Sequence, residues 1–431
     1  MSLTNIISAI GNNSSIYPLL VRDCCIEVPS KILIARKENL KESKEKADDA
    51  TRERFIDEYA TSAIWLGGIP VTEKLVDKYI SKKGFNPSVN IKLFNQPQSS
   101  LQTIEKNIEK FKNIDSEDVK NAVADLIKVK ENKSVYEKLL TKKFIAATAI
   151  PTIIMGFVLP PLNFALTKFI RKKREAKNNT KNQIRTNNYT FTSKSPFFEP
   201  FSPAAGKNTS FTGSMTSTIA NLRTVDKMAI SDGGLTVGRV TTSRNKDEAW
   251  VNGFRMIGSM ILNFVTPVYI AKALDKSANK IFGLNVNLDP IILNDKDFIQ
   301  AVKSGTVELP KSTKEKDILE FLDNNPKDLF SKFAQKLNKV TYLKSGYRDP
   351  RKIVDIKDMA KFKQEFERFI QKAKETKNIE KFAKKAKYVK GINILANIGI
   401  SSFLLAYVLP KAQYEFNKFM TGSYTDPGLR K

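Results

Sequence analysis

Two dipeptides, Asp77-Lys78 and Asp275-Lys276, stand a little beyond two prolines, Pro70 and Pro267, that close apolar stretches. A carboxylate beside an ammonium at such a place can latch its helix to a neighbour through an ion pair, or gate a polar pathway through a membrane. Interfacial side chains that snorkel to water use the same residue types, and that is the simpler expectation. Lys168 and Lys418, which follow Pro160 and Pro410, have the same reading. A glycine-rich stretch from Gly233 to Arg239 approximates a phosphate loop. Arg239 and Val240 stand where that loop needs Lys and Ser or Thr, so an ordinary Gly-rich turn is expected.

The chain contains no histidine, which removes the usual near-neutral acid/base group and the commonest metal ligand. The two cysteines, Cys24 and Cys25, are adjacent and poorly placed for a disulfide or a four-ligand zinc site, as in a reducing compartment. Nothing pairs a nucleophile with a base, two carboxylates, or a cluster of metal ligands. The expectation is a protein without catalytic residues, metal or cofactor, and not an enzyme.

Four uncharged stretches must carry these residues. They are Tyr59 to Thr72, Phe144 to Thr167, Met256 to Ala271 and Gly391 to Pro410. The second and fourth are long enough to cross a bilayer. Ten large apolar residues in the fourth favour insertion by roughly 3 to 6 kcal/mol, offset in part by Asn393, Asn397, Ser401 and Ser402. Prolines at 70, 151, 160 and 267 suggest broken helices, which could enter and leave one leaflet as wedges. The first ten residues lack a basic region leading into an apolar core, so insertion is expected to use internal segments.

The stretches recur in order. Val158-Leu159-Pro160 followed by Phe164, Leu166, Lys168 and Phe169 matches Val408-Leu409-Pro410 followed by Tyr414, Phe416, Lys418 and Phe419, without a gap. Gly84-Phe85-Asn86 with Leu93-Phe94-Asn95 matches Gly283-Leu284-Asn285 with Ile292-Leu293-Asn294. These matches predict a mainly α, internally duplicated helical membrane protein with lysine-rich helical subdomains. Its parts are an N-terminal region 1–49, repeat A at 50–174, a polar flexible linker at 175–245, repeat B at 246–423, and a tail at 424–431. The copies are parallel if both segments of each half cross, and inverted if only the longer one does.

The 72 Lys plus Arg exceed the 45 Asp plus Glu by 27, which favours partners bearing phosphate. Candidate contacts with anionic lipid are Arg171, Lys172, Lys173 and Arg174 after the second stretch, and Lys381, Lys384 and Lys385 before the fourth. Those three lie on the basic face of an amphipathic helix expected over 362–390, and a pair of helices is expected within 101–140. The aromatic and proline cluster at 195–203 could dock a protein partner. The preferred function is an integral membrane scaffold, with basic loops mainly on an anionic cytoplasmic leaflet. A duplicated transporter or channel is the first alternative, and a soluble basic nucleic-acid binder the second.

Overall fold

The computed structural model describes residues 21–183, 224–283 and 287–430. These residues are helical, without strands, apart from an isolated bridge between Tyr342 and Arg348. Helix α1 (Val28–Leu40) turns through residues 41–43 into α2 (44–82), where the hydroxyl of Ser43 caps the new helix by accepting from the Lys46 amide. Helices α3 (Ile104–Phe111) and α4 (Glu117–Glu131) lead into α5 (Lys133–Ala176). Then follow α6 (Thr224–Thr241), α7 (Lys246–Phe282), α8 (Lys296–Ser304), α9 (Glu315–Asn324), α10 (Leu329–Lys336), α11 (Ile356–Lys374) and α12 (Ile379–Thr421).

The prolines expected to break helices do not break them. Each lies inside a continuous helix, two residues after a π turn: Ile64–Gly68 before Pro70, Ile145–Ala149 before Pro151, Ile154–Val158 before Pro160, Ile261–Val265 before Pro267, and Leu404–Val408 before Pro410. Proline has no N–H to donate, and its ring crowds the carbonyl four residues back. The residue before each proline donates instead to the carbonyl five back, as Ile69 does to Ile64 and Leu409 to Leu404. The extra residue in the turn lets the helix run on. Each of α2, α5, α7 and α12 is therefore one unbroken helix, without the break at proline that the expected wedges require.

These four helices form a bundle. Helix α2 pairs with α5 through Asp49 and Arg171 near one end and Asp77 and Lys143 near the other. Helix α7 pairs with α12 through stacked Phe254 and Phe416 and, at the far end, Asp275 and Lys390. Two shorter helices bind the pairs together reciprocally. Helix α1 packs on α2 and reaches across to α12, while α6 packs on α7 and reaches across to α5. The second crossing is close because it is made by glycines, Gly156 and Gly238, whose backbones touch.

Beyond the Asp77 and Asp275 end lie two helical subdomains, residues 83–132 and 283–378. The larger one is built around Phe298, Phe330, Phe366 and Phe369, all buried, with rings meeting edge-on or tilted. The smaller one packs Leu93, Ile104, Leu126 and Tyr136, and the Tyr136 hydroxyl donates to the carbonyls of Asn86 and Val89. The two are one body. Gln102 exchanges two hydrogen bonds with the Val354 backbone at 2.9 and 2.7 Å, and Arg351 reaches Asp125 at 2.8 Å.

Three further expectations need correction. Residues 224–241 of the expected flexible linker are the bundle helix α6, which contains the expected turn Gly233 to Arg239. The single helix expected over 362–390 is two, α11 and α12, interrupted at 375–378. Helices occupy more of 101–140 than a pair, because α5 already begins at Lys133. The cluster at 195–203 lies outside the described residues.

Gly238→Ala would bring a Cβ within 2.7 Å of the Gly156 backbone. The α5–α6 crossing should loosen at a cost of about 1–3 kcal/mol, read as a lowered Tm in detergent. Unchanged thermal stability would refute the contact.

Candidate functional site

Opposite the subdomains the bundle buries a network of charges. Glu53 and Arg54 stand one turn before Asp57 and Glu58 on α2, so each residue of the first pair lies above one of the second as the helix enters its apolar stretch. Arg239 at the end of α6 donates to Asp57 at 2.8 Å and to the Thr61 hydroxyl at 2.8 Å. Arg255, one residue before the apolar stretch of α7, lies 3.7 Å from Asp57 and 3.6 Å from Glu58. From α1, Lys31 bridges Glu58 at 3.2 Å and Glu27 at 2.5 Å.

Arg244, in the turn between α6 and α7, spans Glu53 at 3.0 Å and Glu248 at 2.7 Å, and its guanidinium stacks on the Phe164 ring of α5. Burial pushes the Glu53 carboxyl above its usual range, against the pull of Arg244. Residues 424–430 close the site. The Asp426 amide donates to Asn39, Asn245 donates to the Pro427 carbonyl, and Leu429 is buried.

The pocket between Arg54, Arg239, Glu248, Asn163 and Asp426 has a volume of about 70 Å³. The Nε atoms of Arg239 and Arg255 and the Oδ1 of Asn163 are buried there without protein partners. A water needs only about 10–15 Å³ of such volume, so water can satisfy these atoms. Organic ligands need roughly 300 Å³ or more. The chemistry available is therefore cohesion: buried opposite charges joining α1, α2, α6 and α7, with α5 and α12 against them.

The residues singled out in the sequence separate into distinct places. Asp77 and Asp275 do form latches, with partners from the neighbouring long helix rather than the adjacent lysine: Lys143 at 2.6 Å, and Lys390 at 3.3 Å assisted by the Asn393 amide at 3.0 Å. Lys78, Lys276 and Lys168 are exposed. Lys418 rests its ammonium on the Tyr424 ring. Pro160 and Pro410 are buried, while Pro70 and Pro267 are half-buried.

Of the expected lipid contacts, Lys172, Lys173, Lys381, Lys384 and Lys385 are exposed. Arg171 and Arg174 are half-buried and pair with Asp49, at 2.7 and 2.9 Å. The stems of the bundle are rich in lysine. Residues 73–83, 133–143, 272–282 and 379–390 hold sixteen lysines against five carboxylates, a collar between the apolar stretches and the subdomains.

The sequence reading missed the ion network, although it had a signal. Glu53 and Asp57 lie four residues apart, as do Arg54 and Glu58, directly before an apolar run. Set against protein-family models, curated proteins and solved structures, the chain matches none.

Burial would raise the Asp49 carboxyl, but Arg171, Arg174 and Arg52 overcome it and hold the group below its usual range. Its contribution is then complete above the ordinary carboxylate pKa and is lost as pH falls through the depressed value. Asp49→Asn should cost about 2 kcal/mol at neutral pH, between a surface and a fully buried pair. Unfolding against pH should show the wild type and variant converging in acid. A gap independent of pH would refute the charge pairing.

Proposed function

We propose that this protein is an integral membrane scaffold, in which α5, α7 and α12 cross the bilayer, with α2 crossing beside them inside the bundle, and hold the joined subdomains as one head against anionic lipid. The observation that carries this reading is the exposed apolar belt. Ile145, Ile153, Phe157 and Leu162 on α5, Ile257, Ile261 and Val265 on α7, and Ile392, Leu395, Phe403 and Val408 on α12 all face outward from the bundle. The three helices are long and apolar enough to span, at 44, 37 and 43 residues. At 1.5 Å per residue, Ile145 to Leu166 covers about 31 Å, and Tyr388 to Val408 about 30 Å. The hydrocarbon core is about 30 Å thick. Trp250, Tyr269 and Tyr388 are exposed toward the ends of the belt, where amphipathic rings meet headgroups.

The collar lies where the stems leave this belt, so its lysines meet the headgroups of an anionic, cytoplasmic leaflet. The subdomains are less basic: residues 84–132 carry seven lysines and seven carboxylates, and residues 283–378 carry twenty Lys plus Arg against fifteen Asp plus Glu. That balance favours a lipid surface over nucleic acid as the partner. The ion-paired cavity of about 70 Å³ has no room for an organic substrate, so the network is read as cohesive rather than as a carrier's binding site.

The halves are read here as copies in parallel orientation. Helices α2 and α7 run the same way, from the ion network to the head, and each is latched by its aspartate to the long helix that returns. The π turns before Pro160 and Pro410 stand at the same place in the two matching phrases. The reciprocal reach of α1 onto α12 and α6 onto α5 is what a twofold relation along the membrane normal produces.

Membrane fractions washed with sodium carbonate should retain the protein, whereas release by salt alone would overturn the proposal. In sealed vesicles, cysteines at Lys120 and Lys316 should label from one side and a cysteine at Glu45 from the other. Labelling of all three from one side would overturn the crossing.

A further inference from the structure

A second cavity, of about 340 Å³, opens where α7 and α12 enter the larger subdomain. Its walls change character across the lower edge of the belt. Ala271 and Ile394 line the side toward the apolar stretches, while Asp275, Lys390, Asn393 and Glu365 line the side toward the subdomain. Just outside, Tyr388, Ile392 and Leu395 are exposed. A molecule with its polar end in the cavity can therefore lay a hydrocarbon end on the belt.

The polar end is defined by which charges are already satisfied. Lys339 gives its ammonium to Asp358 at 2.5 Å and rests over the Phe362 ring. Lys390 holds Asp275 only at 3.3 and 3.4 Å, and Asn393 completes that carboxylate at 3.0 Å. Glu365 is the under-partnered group. Its side chain is 17 % exposed, and its nearest cation, Lys361, lies 3.9 Å away. Burial raises this carboxyl above its usual range. A carboxylate so placed recognises an ammonium that can donate hydrogen bonds, while Lys390 is within the same cavity for a phosphate.

We propose that this cavity is a headgroup site for a phospholipid bearing a primary amine, the ammonium on Glu365, the phosphate toward Lys390 and an acyl chain along Ile394. The site belongs to one half only. At the positions the duplication makes equivalent to Lys390, Asn393 and Asn397, the first half has Leu140, Lys143 and Ala147. Asp77 there pairs with Lys143 at 2.6 Å. The one lipid would fix how the larger subdomain sits on the membrane. This inference rests on the membrane reading above.

The test is native mass spectrometry of the full chain, reconstituted in vesicles of equal phosphatidylethanolamine, phosphatidylcholine and phosphatidylglycerol and then released into detergent. The wild type should retain one phosphatidylethanolamine in preference to phosphatidylcholine, whose quaternary amine has no N–H to donate. Glu365→Gln should lose that preference by on the order of tenfold, the worth of one charged hydrogen bond. Ala271→Leu, which narrows the apolar mouth without changing charge, should also lower retention.

Retention without preference among the three lipids, or unchanged in Glu365→Gln, overturns the proposal. Displacement by free phosphoethanolamine at concentrations comparable to the lipid overturns the lipid as the occupant and assigns the site to a soluble amine. Carbonate extraction separates the two readings. A chain that resists it but shows no lipid preference sinks this site alone, whereas a chain that is released sinks the membrane reading and the lipid with it.

Discussion

A charge taken out of water must find an opposite charge or a set of hydrogen bonds, and the bundle is organised around that demand. Asp57 and Glu58 of α2 are matched by Lys31 of α1, Arg239 of α6 and Arg255 of α7. No one helix supplies both signs in sufficient number. Removing any of these helices would leave another with an uncompensated buried ion, so the network makes the helices mutually dependent. Burial of ion pairs contributes little net stability compared with apolar packing, and its stronger effect is to specify one arrangement. Here it sets which helices are neighbours and at what height they meet.

The other end of the bundle uses the same principle more sparingly. Asp77 with Lys143 and Asp275 with Lys390 each tie a descending helix to the one that returns. Between the two polar ends the contacts are apolar or small. The crossing of Gly156 and Gly238 and the hydrogen bond between Thr152 and Ser231, at 2.7 Å, bring α5 and α6 close together. Prolines are tolerated throughout this zone because π turns absorb the missing donor within the helix itself. The bundle therefore keeps its backbone polar groups satisfied internally, the condition hydrocarbon imposes on any segment exposed to it.

Much of this was legible in the residues. The apolar stretches, their lysine flanks and the helical character of the subdomains follow from periodicity and from runs without charge. The aspartates after Pro70 and Pro267 were visible as candidate latches, though their partners were not, because Lys143 and Lys390 lie 66 and 115 residues away. The helix over 224–241 was hidden by its own composition. Gly233, Gly234 and Gly238 are poor helix formers in water, and helical structure there depends on packing against α5 and α7. The pairing of Arg171 and Arg174 with Asp49 was not visible in their basic run, because the carboxylate comes from α2.

The sequence by itself determined most of the elements: which segments other than 224–241 are helical, which are apolar enough for hydrocarbon, and where lysines accumulate. These are local properties, set by residue type and spacing within a few turns. Only the tertiary structure decided the neighbours. It matched Glu53 with Arg244 and Asp57 with Arg239, kept the helices running through their prolines, and joined the two subdomains into one head. Each of those outcomes depends on groups far apart in the chain meeting at hydrogen-bonding distance, and no local pattern encodes that.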